Sequence, residues 1–498
     1  MVKRFRPVMA GLILPLYFIG CGGALPLLQV LRGPSVSAFV FASVSGFASG
    51  QDAARRPGRL VIALDGVPHG VIAELRAEGR FRRFHNPARQ ISTFPSITNP
   101  AMVEILGAAD SPGYEDHFYD RTENHLQGGI QGRLSGGSFI RGTWRELFGY
   151  HAPALKGALG YVAAPVGAMM LAQLDLLSFK QAFRRSTAGE FIGYIGETDS
   201  LAHLGGKQTQ KSFLRSLDRA VEDLIAESGG RLEVEMFSDH GNHFTQYRKV
   251  ELNQPLERAG FVFEKSLQRA NGVVLPKYGL IGCGVLFTAP ENRHAVAETA
   301  AQVPGIDFAA FHEEGQAESV LILSRRGQAR ITRRQHDYRY EMLQGDPLEL
   351  NTLLERLRAG GLLDGAGFAT GDAWLRVSGE HKYADPLRRI FDGLGAHVRT
   401  LADVIVSCED GWYIGNQFFD TVATVQATHG NMLPGESEGF AMSTRQQLRP
   451  VVRGHELTTL FALDRILRLA DSASMQTAMR ADSYIGDGGH CEFGKRMK

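Results

Sequence analysis

The sequence predicts an α/β fold: a mainly parallel central sheet flanked by helices on both faces, with an inserted α+β cap subdomain. Three observations carry this. Four short apolar runs each stop at a polar cluster, in RLVIALDG (59–66), EFIGYIGETD (190–199), RLEVEMFSDHG (231–241) and TVATVQATHG (421–430). A strand buried on both faces reads as such a run, and ligands bind beyond the carboxyl ends of parallel strands, so the polar clusters should converge. Helical periodicity lies between the runs: in KSFLRSLDRAVEDLIAES (211–228), Phe213, Leu214, Leu217, Val221, Leu224 and Ile225 share one face with charges opposite. Finally, the region between about 250 and 395 has strand signals of its own, GVLFTA and ESVLILSRRGQARI, the latter a hairpin around Arg326 and Gly327.

At 498 residues, with 44% hydrophobic residues and 58 glycines, the chain has the size and composition of a folded α/β enzyme with an elaboration. Its 54 basic and 53 acidic side chains leave a formal charge of +1, which gives no footprint for binding a nucleic-acid polymer and suits a small or locally charged substrate. Cys21, Cys283, Cys408 and Cys491 form no CxxC pair, so a thiolate zinc site is not expected.

Taken in order, residues 1–57 read as an export signal or anchor followed by a Gly/Ser/Ala-rich tether. MVKRFRPVMAGLILPLYFIGCGG sets Lys3, Arg4 and Arg6 before an apolar run ending at Cys21, the pattern of a bacterial lipoprotein signal; Phe18 is an unusual residue three before that cysteine. The rivals are a membrane anchor over residues 8–31, weakened by Pro15 and Pro26, and cleavage near FASGQDA after a second apolar run. The expectation is an exported, periplasmic or cell-envelope protein that meets a membrane only through its N-terminus. Residues 58–249 and 396–498 read as the catalytic core and 250–395 as the cap, placed before the last core strand; residues 122–188 read as an insertion near the site or a cover over it.

QISTFPSITNPA (90–101) crowds Ser92, Thr93, Ser96 and Thr98 before an apolar run. Asn99 followed by Pro100 supplies a helix start by itself, which leaves the hydroxyls to be explained. A hydroxyl at a helix N-terminus, where backbone N–H groups favour an anion, is well placed to attack a phosphate once its proton is removed. The strand ends supply the means. Asp65, Asp199 with His203, Asp239 with His240, and His429 are three carboxylates and three imidazoles, a donor set suited to divalent metal. Asp199 and His203 are four apart, on one face of a helical turn. The set divides into Asp199, His203 and His429 for one ion and Asp65, Asp239 and His240 for a second, and two zinc ions roughly 4 Å apart would activate Thr98 and neutralise the leaving oxygen.

IALDG, FPSITNPA, ETDSLAH, FSDHG and ATHG, in that order, resemble the metal-dependent alkaline phosphatase superfamily, and within it the branch of type I phosphodiesterases, nucleotide pyrophosphatases and phosphonoacetate hydrolases. The resemblance covers about residues 58–245 and 400–445. It implies an alkaline phosphatase-like α/β sandwich, two zinc ions (other divalent metals being alternatives) and a phospho-threonine intermediate on Thr98, itself a metal ligand, with Ser96 as the second candidate. GYEDHFYD resembles a segment in which the family has a phosphate-contacting asparagine; this chain has His117 there, which leaves diester specificity open. No CxPxR or SxPxR motif surrounds the nucleophile, which excludes a formylglycine sulfatase. The expected activity is hydrolysis of a small phosphodiester or pyrophosphate. The alternatives are phosphomonoesters or phosphonates and, in another class, a binding protein on a dead hydrolase scaffold. His243 reads as a supporting residue, GDGGHC as a Gly-rich tail, and the oligomeric state is not legible.

Overall fold

The structure is a computed structural model that describes residues 57–129, 142–152, 164–415 and 424–464. The signal or anchor before residue 57, the glycine-rich part of the 122–188 insertion and the GDGGHC tail lie outside the described residues.

Strand β1 (Arg59–Leu64) is wholly buried, and the alternation of its side chains fills both layers of the core. Leu60, Ile62 and Leu64 face one cluster with helices α1 (His69–Ala77), α3 (Ala164–Arg185) and α4 (Glu197–Glu227). Val61 and Ala63 face the other, with α2 (Thr98–Leu106) and α6 (Gly454–Leu460). A period of two along a strand covered on both sides is what a helix–sheet–helix sandwich requires.

Six further strands complete this sheet: β2 (Ala88–Ile91), β3 (Tyr150–His151), β4 (Glu190–Ile195), β5 (Glu233–Ser238), β6 (Glu438–Ser443) and β7 (Val451–Arg453), in the order β7-β2-β6-β5-β1-β4-β3. β1 pairs parallel with β4 and β5, β3 parallel with β4 and β7 parallel with β2, while β6 runs antiparallel to both its neighbours. The sheet is therefore mainly parallel. Its register aligns Leu64 with Ile195 and with Ser238, so the chain leaves three adjacent strands at one level.

A nine-stranded, largely antiparallel sheet forms the second body of structure. The expected hairpin is present, Ser319–Ser324 pairing with Gly327–Arg334. The sheet runs past residue 395, because Val404–Cys408 lies in its middle, between Ile306–His312 and Cys283–Thr288. The run before ATHG differs from expectation too: residues 421–423 lie outside the described residues, 424–427 are irregular, Thr428 and His429 make only isolated bridges to His243 and Ile281, and the last core strands among the described residues are β6 and β7. An apolar run marks burial without saying whether the backbone finds a strand partner.

One face of the nine-stranded sheet packs on helix α5 (Pro386–Gly395) and on Phe94 and Ile97 of the hydroxyl-rich loop. Charge ties α5 to α2: Arg388 reaches Glu104 at 2.9 Å, Asp385 at 2.9 Å and Asp392 at 3.0 Å. Burial opposes the charge on Glu104, but Arg388 and the hydrogen-bonded His455 overcome it and hold the carboxyl well below 4.5.

Arg388→Met should cost about 3–5 kcal/mol in a urea melt, because it strands buried carboxylates without their cation. Since the folded protein ionises Glu104 more readily than the unfolded chain, the contribution of that charge is present above about pH 4.5 and lost as pH falls. The destabilisation by Glu104→Gln should accordingly be larger at pH 7 than at pH 4; an equal cost at both would show that the charge is not what matters.

Candidate metal centre

Asp65 and Asp239 are the residues immediately past the aligned ends of β1 and β5. Between them the backbone turns sharply at Gly66, whose φ is +60°; a Cβ there would meet Asn242 Nδ2 at 2.4 Å and Asp199 Oδ1 at 2.5 Å, so only glycine fits. The Gly66 N–H donates to Asp239 Oδ1 at 3.1 Å, and the Val67 N–H donates to Ser238 Oγ at 2.8 Å, which locks the two strand ends together. Helix α4 starts directly after β4, so Asp199 lies in its first turn and His203 one turn on, with Nε2 at 3.1 Å from Asp199 Oδ2. A break in α4 at Gly206 then separates this short carrying segment from the long amphipathic part.

The structure brings all six predicted ligands together in the predicted division. Asp199, His203 and His429 form one group and Asp65, Asp239 and His240 another, and within each the candidate ligand atoms lie within 4.8 Å of one another. The two groups adjoin, since the rings of His240 and His429 stack with centroids 4.0 Å apart. Every imidazole has its Nδ1 engaged by a backbone carbonyl: His203 with Ala427 at 2.7 Å, His240 with Gly241 at 2.8 Å and His429 with Ser96 at 2.8 Å. Such a bond selects the tautomer with hydrogen on Nδ1, which turns the lone pair of each Nε2 toward the carboxylates, as a metal ligand requires.

Electrostatics gives the same indication. Burial, then the charges of Asp239 and Asp199, pushes the Asp65 carboxyl well above its usual range, and burial raises Asp239. Burial also works against Asp199, yet the adjacent His203, foremost by its charge and also by its hydrogen bond, overcomes it and holds that carboxyl low. Burial and the neighbouring His240 keep His429 neutral. Asp239 Oδ2 is buried and accepts no hydrogen bond among the described residues. An orphaned carboxylate oxygen among crowded acids and imidazoles is compensated by divalent cations, and the donor types fit zinc.

Thr98 is the first residue of α2, where unpaired backbone N–H groups point outward. Its Oγ1 lies 3.3 Å from Asp65 Oδ1 and 3.3 Å from His240 Nε2. The other hydroxyls of the loop are buried: Ser96 Oγ donates to Asn431 O at 2.6 Å, Thr93 Oγ1 to Pro95 O at 2.9 Å, and Ser92 Oγ has no hydrogen-bond partner among the described residues. Asn99 is not the cap. Ile97 occupies that position, while the Asn99 side chain accepts from Trp144 Nε1 at 2.9 Å and donates to Gly113 O at 3.4 Å.

His117 opens the hairpin strand His117–Asp120 and its half-buried ring meets the Lys277 backbone; no bond among the described residues joins it to Thr98 or the six ligands. Its neighbour Glu115 is nearer in charge, its carboxyl pushed up to about 8 by burial and Asp116, with a further push from Asp199. His243 pairs with Asp410 at 2.6 Å and, through its backbone, with Thr428, so it supports the segment that carries His429. Three residues of the centre were missed from the sequence: Tyr194, whose hydroxyl donates to Asp65 Oδ2, Asn242, which donates to Asp199 Oδ1 at 2.8 Å, and the half-buried Arg145, whose charge acts on Tyr194 and Asp65. Only Asn242, next to DHG, could have been suspected.

Zinc-loaded protein should contain about two ions per chain by elemental analysis and melt at a higher temperature than the stripped form, because the ions relieve carboxylate repulsion. Asp239→Asn should lose about one of the two ions. Unchanged stoichiometry in that variant would dissolve the second group.

No family model and no curated protein matches the chain. Among solved structures it is similar to phosphonoacetate hydrolase from Sinorhizobium meliloti 1021 in complex with phosphonoacetate, with a TM-score of 0.43 and 12% identity, over 84% of this chain and 96% of that one. It is also similar to human ectonucleotide pyrophosphatase / phosphodiesterase 5, with a TM-score of 0.42 and 11% identity, over 83% of this chain and 95% of that one.

Proposed function

We propose that the chain is an exported, metal-dependent hydrolase of phosphodiester or pyrophosphate bonds, acting through a phosphoester on Thr98. The observation that carries this reading is the position of the Thr98 hydroxyl, at a helix N-terminus and 3.3 Å from donor atoms of both Asp65 and His240. Bound at the two donor groups, divalent cations, zinc by preference, would lower the pKa of that hydroxyl and neutralise charge on the leaving oxygen.

In the first step Thr98 Oγ1 bonds to phosphorus as the bond to the leaving oxygen breaks in line. In the second, water attacks phosphorus, the Thr98–phosphorus bond breaks, and the hydroxyl is restored with inorganic phosphate or a phosphomonoester released. The residues position these steps. Tyr194 fixes the Asp65 carboxylate, Asn242 fixes Asp199, and the outward N–H groups of α2 favour the phosphoryl anion. Ser96, the second candidate nucleophile, has its hydroxyl buried against Asn431 O. Phosphomonoesters and phosphonates are the alternative substrates. A non-catalytic binding scaffold would have no need of three tautomer-fixed imidazoles around a reachable hydroxyl. Export rests on the basic and apolar N-terminal pattern ending at Cys21; no helix among the described residues is long and apolar enough to cross a membrane.

Turnover of a nitrophenyl monoester, a bis-nitrophenyl diester, a nucleotide diester and phosphonoacetate by zinc-loaded protein tests the class. Thr98→Ala should lower kcat by about 10³-fold or more with metal content retained, and Ser96→Ala far less. A phosphorylated Ser96 trapped at low pH would reverse the assignment.

A further inference from the structure

One buried acid outside the two donor groups is tied to both of them. Glu436 lies in the short helical turn Pro434–Ser437 that leads into β6, and it is 1% exposed. Its Oε2 accepts the Asn431 N–H at 3.1 Å, and the Asn431 carbonyl accepts the Ser96 hydroxyl at 2.6 Å. The Ser96 carbonyl engages His429 Nδ1 at 2.8 Å, and the Ser96 N–H donates to Gly430 O at 3.1 Å. The carboxyl also packs on Gly282, where a Cβ would come within 2.3 Å of Oε2, and the Gly282 N–H donates to the His429 carbonyl at 2.6 Å. The backbone of Glu436 serves the other group: its carbonyl accepts the Gly241 N–H at 3.2 Å, and the Gly241 carbonyl holds His240 Nδ1 at 2.8 Å.

A carboxyl is a costly side chain to bury here. Burial and the nearby Asp410 outweigh the Asn431 N–H and push it up to about 8, so at neutral pH it is the uncharged acid, and Oε1 has no hydrogen-bond partner among the described residues. An apolar side chain of the same length would avoid that cost. It would also take from the buried Asn431 N–H its acceptor, in the segment that carries the restraints on His429 and Ser96. The burial of an acid is therefore explained by what its oxygen holds.

We infer that Glu436 is a positioning residue of the centre: through the Asn431 N–H it fixes residues 429–431 against Ser96, and so places His429 for its ion and the loop of Thr98 for attack. The part that concerns Thr98 rests on the hydrolase reading and deepens it; the part that concerns His429 needs only the metal.

The test compares the parent with Glu436→Met and Glu436→Gln, measuring zinc affinity by competition with a chromophoric chelator, melting temperature, and kcat and KM at saturating zinc for a nitrophenyl monoester and a bis-nitrophenyl diester. Methionine keeps the length of the side chain and offers no acceptor of comparable strength; glutamine keeps the acceptor and matches the neutral acid. Glu436→Met should weaken the hold on one of the two ions about tenfold or more and lower kcat by a similar factor with KM little changed, and Glu436→Gln should restore both to within about threefold of the parent. A side chain that merely fills space would shift melting temperatures without separating the two variants in zinc affinity. Zinc held by the Met variant within twofold of the parent, a Gln variant as weak as the Met variant, or a parent that binds no zinc overturns the inference. Should Glu436→Met fail to fold, Glu436→Asp, shorter by one methylene, decides alone: zinc held as tightly as by the parent overturns the assignment and weaker binding upholds it. A parent that binds zinc but hydrolyses neither ester would remove the hydrolase reading and leave the zinc comparison to judge Glu436.

Discussion

Mutual repulsion among Asp65, Asp199 and Asp239 in a space shielded from water governs the architecture around the centre. The parallel register of β5, β1 and β4 places Asp65 and Asp239 one residue past their strands and Asp199 in the helical turn that follows β4. The groups that surround them reduce that repulsion in different ways. Tyr194 and Asn242 donate to carboxylate oxygens, the Gly66 and His240 N–H groups donate to Asp239 Oδ1, and His203 lies against Asp199. These contacts leave Asp239 Oδ2 without a hydrogen bond among the described residues, with His240 Nε2 3.5 Å away, so they do not complete the compensation.

The nine-stranded sheet has a mechanical part in this arrangement. Phe94 and Ile97, on either side of the Pro95–Ser96 turn, are buried in its core, and Arg389 of α5 donates to the Thr93 carbonyl at 3.1 Å. Gly393 lies so close that a Cβ there would come within 2.0 Å of the Phe94 carbonyl oxygen. The loop that presents Thr98 is thus held from below by the first sheet and from the side by the second. An addition to the core that seems remote in sequence fixes where the hydroxyl stands.

Legibility followed the physics of each signal. The runs at residues 59–64, 190–195 and 233–238 were readable because strands buried on both faces must be continuously apolar, and their terminal acids and histidines were readable because polar residues beside such runs need a reason. Val404–Cys408 shows the same apolar signal but joins the other sheet, since hydrophobicity does not name a pairing partner. Asn99–Pro100 looked like a cap and first helical residue, yet the helix begins two residues earlier, at Thr98, and Trp144 takes the asparagine side chain. Arg145 and Tyr194 had no local pattern at all; their meaning comes from tertiary approach to Asp65, which no spacing encodes.

The bond from His429 Nδ1 to the Ser96 carbonyl joins a candidate ligand to the backbone two residues before Thr98, across more than three hundred positions of chain. Ligand and nucleophile are therefore not separate modules. A substitution that shifts either one displaces the other through a single carbonyl, so energetic effects at the two positions couple rather than add. For engineering, the two segments therefore form one unit of exchange: a graft that replaces the hydroxyl loop alone removes the carbonyl that orients the His429 ring.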